Sequence, residues 1–218
     1  MDFITIEKAN NLYWLGRYVE RVFTCLKYYQ LTCDKMIDQD IDCYKDFCKR
    51  LDIPDIYEDK VDFSKRYIFD EDNFDSIYSN LTRAFDNAIV LREEISGETV
   101  AYIDLSRHLL GSYKDEPIFI QILKVSDYIN AFWGSVDDTV NELPRNIMKV
   151  GKYVEKLDCA LRFDEDDEMI FKAETRMLNR VERVPILKEL DLPETVILNR
   201  QELSELLYNI NESFEYEV

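Results

Sequence analysis

Asn11-Leu12-Tyr13-Trp14-Leu15-Gly16-Arg17-Tyr18-Val19-Glu20-Arg21-Val22 and Asn146-Ile147-Met148-Lys149-Val150-Gly151-Lys152-Tyr153-Val154-Glu155-Lys156-Leu157 match when one is slid along the other by 135 positions. Asn, Gly, Tyr, Val and Glu are identical at corresponding places, and Arg17, Arg21 and Val22 are replaced only by Lys152, Lys156 and Leu157. The apolar residues recur at three- and four-residue spacings, which predicts one helix for each copy. At about 100° per residue, Gly16, Val19 and Phe23 share a buried stripe. Glu20 lies on the border of that stripe, with Arg17 and Arg21 further toward solvent. A glycine in a helix interior costs about 1 kcal/mol relative to alanine, so its presence in both copies predicts a second backbone passing close by. Glu20 and Glu155 are then placed to pair with a base on their own helix or on the opposite one. Two readings stay open: each motif is a packing and ion-pair device, or the two motifs are pseudo-symmetric walls of one pocket with Glu20 and Glu155 facing a ligand.

Outward from these copies, the first helix is expected from about Glu7 to the middle thirties and a shorter one over Asp42–Leu51, while the charge-rich stretch 55–72 reads as a loop or insertion. Asn73–Ile95 is periodic through Ile77, Leu81, Phe85, Ala88 and Leu91. Ser96-Gly97-Glu98 breaks that run and opens a helix ending near Gly111. Pro117 precedes Ile118–Val140, whose apolar residues on several faces predict the most buried, central helix. Pro144 opens a helix to about Phe163, and the acids Asp164 to Glu168 suit the positive end of the next, which Pro185 closes. Arg200–Asn211 is a last short helix. No segment alternates like a strand, so the fold class is all-α: a single helical bundle of about six to eight helices with an internal pseudo-repeat, forming one domain over 1–218 with 191–218 as a C-terminal extension.

Composition narrows the partners. The formal charge of −18 argues against nucleic acid, whose binding needs a basic stripe, and the cations here are interleaved with more numerous acids. Five cysteines, Cys25, Cys33, Cys43, Cys48 and Cys159, lack CxxC spacing and read as reduced thiols. Met1 to Glu7 lacks the basic and apolar regions of a signal peptide, and no stretch approaches a membrane span, so a cytoplasmic location without membrane contact is expected.

The sequence offers no full catalytic set. His108 is the only histidine, with Asp104 on the same helix face, and one histidine cannot supply a di-metal bundle site. Neither a Gly-rich phosphate loop nor a Gly-x-Ser-x-Gly elbow occurs, so no cofactor, metal or catalytic residue is assigned. Fourteen Tyr and twelve Phe are a high load for a bundle; core filling explains most of it, and a tyrosine-rich groove would also suit a peptide or protein partner.

Three ordered blocks carry a family resemblance. Asn11-Leu12-Tyr13-Trp14-Leu15-Gly16-Arg17-Tyr18-Val19-Glu20-Arg21 resembles the opening of the bacterial Alpha-E family, helical domains with a Glu-Arg motif. Asp86-Asn87-Ala88, Arg92 and Ile95-Ser96-Gly97-Glu98 are similar to its middle signature. Gly134, Asp138-Thr139 and Val150 to Lys156 are similar to its third block, although Lys156 stands where the family has arginine and Ile89 where many members carry another. The resemblance implies a candidate motif site of Gly16, Arg17, Glu20, Arg21, Asn87, Arg92, Glu98, Gly151, Lys152, Glu155 and Lys156. It also implies a partner, a circularly permuted ATP-grasp ligase or its peptide substrate, in a peptide-ligating or peptide-modifying system. The leading expectation is a non-catalytic accessory module. The alternatives are an enzyme using Glu20 or Glu155 on the peptide product, and a structural homo-oligomer.

Overall fold

The computed structural model describes residues 4–38, 40–111, 116–190, 192–193 and 199–215. Part of the N-terminal reading and part of the 191–218 extension therefore lie outside the described residues. Among those described, periodic apolar spacing becomes helix and no strand forms. The helices are α1 (Ile6–Asp38), α2 (Cys43–Leu51), α3 (Lys60–Phe69), α4 (Ile77–Val90), α5 (Gly97–Gly111), α6 (Ile118–Thr139), α7 (Glu142–Arg162), α8 (Asp167–Val181) and α9 (Arg200–Glu212), with a 3-10 turn at Pro185–Leu187. Side-chain oxygens of Asp59, Ser76, Asp166 and Asn199 accept hydrogen bonds from the first free backbone N–H groups of α3, α4, α8 and α9. Asp167 and Glu168 then complement the positive end of α8.

Two expectations are corrected. The stretch 55–72 is not all loop, because Asp59 caps α3 and Phe63, Tyr67 and Ile68 bury one face of it, bringing the helices to nine among the described residues. Nor is α6 the central helix: Phe119 and Leu123 are 57% and 44% exposed, and α6 packs chiefly on α5. Apolar residues on several faces signal burial only where neighbours cover those faces. The interior position belongs to α1 and α7, since α1 packs most extensively on α7 and then α4, while α7 also carries α8.

The motif helices are parallel neighbours. Contacts advance together along both, from Gly16 against Met148 and Lys152 to Tyr28 stacked on Phe163 with ring centroids 3.8 Å apart. Parallel helices cannot be joined by a tight turn, and five helices, α2 to α6, lie between them in the chain. The described part of the C-terminal extension is integral to the core: Phe214 stacks on Tyr13 at 4.3 Å, and its carbonyl accepts a 2.5 Å hydrogen bond from Asn10 Nδ2. No described helix is long and apolar enough to cross a membrane.

Candidate functional site

At the crossing the two glycines are used reciprocally. A Cβ on Gly16 would overlap the carbonyl oxygen of Met148 and press on the amide nitrogen of Lys152 at 3.2 Å. A Cβ on Gly151 would overlap the carbonyl of Tyr13 and press on the amide of Arg17 at 3.1 Å. Since Met148 and Lys152 are the counterparts of Tyr13 and Arg17, the contact is a local pseudo-twofold with its axis running between the helices. The loss of helix propensity at each glycine is offset by backbone approach that no other residue permits.

The Glu155 side of this pseudo-dyad is fully paired. Arg21 Nε and Nη2 donate to Glu155 Oε1 and Oε2 at 2.5 and 3.2 Å, and Arg17 Nε donates to Oε2 at 2.7 Å. Asn211 of α9 completes the set, accepting from Arg17 Nη1 at 2.8 Å and from the Tyr13 hydroxyl. Burial alone would push the Glu155 carboxyl up, but Arg21 and Arg17 overcome it and bring the group down to about 2. The carboxylate partner likewise raises Arg21 above its ordinary value. Arg17 was expected toward solvent and is instead buried, because helices this close cover the faces flanking their contact and α9 closes the remaining side. A cavity of about 240 Å³ opens beside Arg21, Cys25, Glu155 and Cys159. All five cysteines are free thiols.

Corresponding positions on the other side hold the same charges with poorer geometry. Lys152 Nζ lies 3.8 Å from Glu20 Oε2, outside hydrogen-bond range, and that buried oxygen has no hydrogen-bond partner. Glu20 was placed on the border of the stripe and is in fact 2% exposed, covered by the same close approach. Burial pushes its carboxyl up against the attraction of Lys152 and Lys156. Burial also pushes Lys152 down to about 8, an effect Glu20 only partly offsets. The ammonium of Lys152 sits 4.2 Å from the centre of the Trp133 ring, and the neighbouring Lys149 pairs with Asp137 at 2.7 Å. Both Glu20 and Lys152 are thus shifted toward their neutral forms.

The remaining candidates divide. Asn87 lines a separate cavity of about 250 Å³ between α1 and α4, together with Asn10, Asn11, Trp14, Tyr18, Arg83 and Asp86. This cavity joins the first motif to the Asp86-Asn87 segment. Arg92 and Glu98 are exposed, in the turn after α4 and the first turn of α5, and no ion pair ties either of them to the crossing. Glu98 instead accepts a hydrogen bond from the Tyr102 hydroxyl at 2.9 Å. His108 is exposed and lies 3.1 Å from Asp104 Oδ1. No group of three or more His, Cys, Asp or Glu suited to a metal occurs among the described residues.

Trp14, Tyr18, Arg83 and Asn211 were absent from the expected site. Trp14 and Tyr18 share a face with Asn11 at helical spacing, a signal legible in the sequence once α1 was assigned. Asn211 lies 194 residues from Arg17, and nothing local announces that pairing. The Alpha-E family model, which describes a predicted alpha-helical domain with a conserved ER motif, matches residues 7–166. No curated protein and no solved structure matches the chain.

Proposed function

The chain belongs to the Alpha-E family, and from that premise we propose that it is a non-catalytic binding module of a peptide-ligating or peptide-modifying system, working with a circularly permuted ATP-grasp amidoligase. The observation that carries this reading is the division of labour within the motifs. Gly16, Gly151, Arg17, Arg21 and Glu155 hold α1 to α7, while Asn11, Trp14 and the Asp86-Asn87 pair line a separate cavity.

The chemistry of the Glu155 clamp supports a structural role for that carboxylate over a catalytic one. A general acid or base works best when its pKa lies near the operating pH. Glu155, held near 2 by two guanidiniums, is permanently ionised and its lone pairs are committed. The half-buried side of α1 that faces α4, by contrast, offers two rings and two carboxamides in one concavity, the mixture of apolar surface and oriented polar groups that suits a small ligand or an inserted side chain.

Co-purification of the full chain with a circularly permuted ATP-grasp amidoligase from the same organism tests this function. A stable complex is expected, weakened by Trp14→Ala and by Asn87→Lys while the melting temperature stays near that of the wild type. Failure of the two proteins to associate at concentrations well above the micromolar range, with both folded, would overturn the partnership.

A further inference from the structure

Resting on the reading of the chain as a binding module, we propose that the α1–α4 cavity binds a zwitterionic amino acid or short peptide, its carboxylate on Arg83 and its ammonium on Asp86. Arg83 is a half-buried cation with no acid partner. Its Nη2 donates to the Phe74 carbonyl and to Asn80 Oδ1, both at 2.8 Å, and its Nε is buried without a hydrogen-bond partner. The guanidinium lies 3.9 Å from the centre of the Phe74 ring and 5.2 Å from that of Tyr18. Among the described residues no carboxylate comes within 4.0 Å of it, in a chain whose net charge is −18. A guanidinium without an acid partner, on a residue that lines a cavity, is a place for an anion, and a carboxylate matches its planar fork.

Asp86 stands three residues further along α4, a spacing at which Arg and Asp commonly pair across a helix turn. Here they do not, because Phe74 and Asn80 draw the guanidinium the other way. The cavity therefore has a cation held by Phe74 and Asn80 and an exposed carboxylate on one helix, with both lining the same space. Facing them on α1, Asn11 offers a donor and an acceptor suited to a peptide amide, and the tilted pair Trp14 and Tyr18, 5.7 Å between centroids, forms an apolar wall for a side chain. A volume of about 250 Å³ lies below that of pockets for drug-sized ligands, which fits a chain end better than a long segment.

Calorimetry with the full chain and three probes decides the matter: L-alanyl-L-leucine, its C-terminal amide, and its N-acetyl form. The free dipeptide is expected to bind, and each capped form to bind roughly tenfold or more weakly, the scale of one charge-assisted hydrogen bond. Arg83→Gln should erase the preference for acid over amide, Arg83→Lys should restore part of it, and Asp86→Asn should erase the preference for the free amine alone. Equal binding of all three probes by the wild type, or binding of none, overturns the proposal. If none binds while the ligase complex still forms, this ligand class falls and the binding-module reading stands; if neither binds, both fall. Should Arg83→Gln fail to fold, the probe series on the wild type and on Asp86→Asn still gives the answer.

Discussion

Glu155 and Glu20 occupy equivalent, equally buried places in a repeated motif and differ in how their carboxylates are partnered. Glu155 meets two arginines, whose planar forks reach both of its oxygens, and it is held ionised. Glu20 meets lysines at the corresponding positions, and its Oε2 stands 3.8 Å from the nearer ammonium with no hydrogen bond. A point charge on a flexible stem does not replace a bidentate fork in a buried site. The difference teaches that one half of the pseudo-dyad supplies electrostatic stability while the other retains the shape of the motif without that contribution.

The largest expected effect breaks the comparison at its strong end. Glu155→Gln removes the counter-charge shared by the buried Arg17 and the half-buried Arg21, leaving Arg17 only Asp158 at 3.7 Å, and removing one partner of a buried pair typically costs about 3–5 kcal/mol. Glu20→Gln, which removes a buried charge lacking a hydrogen bond at Oε2, should change stability by less than about 1 kcal/mol in either direction. Urea denaturation of the two variants beside the wild type gives both numbers, and equal losses would refute the asymmetry.

The same contrast sets opposite pH responses. Glu155 is lowered from its ordinary 4.5 to about 2, so the unfolded chain takes up its proton first. Its stabilisation, on the order of 3 kcal/mol, is present above pH 4.5 and lost as pH falls toward 2. Glu20 is raised, so its contribution is fully present below its ordinary 4.5 and is lost as pH rises through its folded value. Acid titration of stability should therefore lose most of its steepness below pH 4.5 in Glu155→Gln, while Glu20→Gln should flatten the region just above it. An unchanged acid limb in Glu155→Gln would contradict the assignment.

Where the halves are alike, substitutions should act alike. Gly16→Leu and Gly151→Leu each force a side chain into a backbone carbonyl, and overpacking of this kind adds about 1–3 kcal/mol. The two losses should agree closely, because each glycine meets the counterpart of what the other meets. Melting temperatures unaffected by either change would refute the close crossing.

How far the sequence discloses this arrangement depends on the range of the interactions. Helices driven by their own periodicity and capping were legible, and so was the close approach of the glycines, since each of these leaves a mark within a few residues. The helix α3 was hidden by the charges of 55–72, although Asp59 as a cap and Phe63 with Tyr67 one turn apart carry the signal. The burial of Arg17 was not legible, because it depends on how tightly α7 approaches and on Asn211 at the far end of the chain. The α1–α4 cavity was only half legible: Asn11, Trp14, Tyr18, Asp86 and Asn87 sit in two of the motif blocks, but Asn10 and Arg83 lie outside them, and which faces meet is a property of packing.

The smallest expected effect sharpens the comparison by trying to repair the weak half. If the substitution of lysine for arginine is what leaves Glu20 Oε2 without a hydrogen bond, Lys152→Arg should give its carboxylate a planar donor set of the kind Arg17 gives Glu155. The guanidinium would also lie against the Trp133 ring, which already faces the Lys152 ammonium at 4.2 Å and suits a stacked cation. The gain should be modest, about 1 kcal/mol, because one new charge-assisted bond is set against the larger side chain's need for room. Its signature is in the titration more than in the melt: the Glu20 carboxyl, followed by carbon-detected NMR, should move down from its raised position toward the ordinary carboxylate range. A Glu20 titration unmoved by Lys152→Arg in a folded variant would mean that burial, and not the identity of the base, separates the two halves.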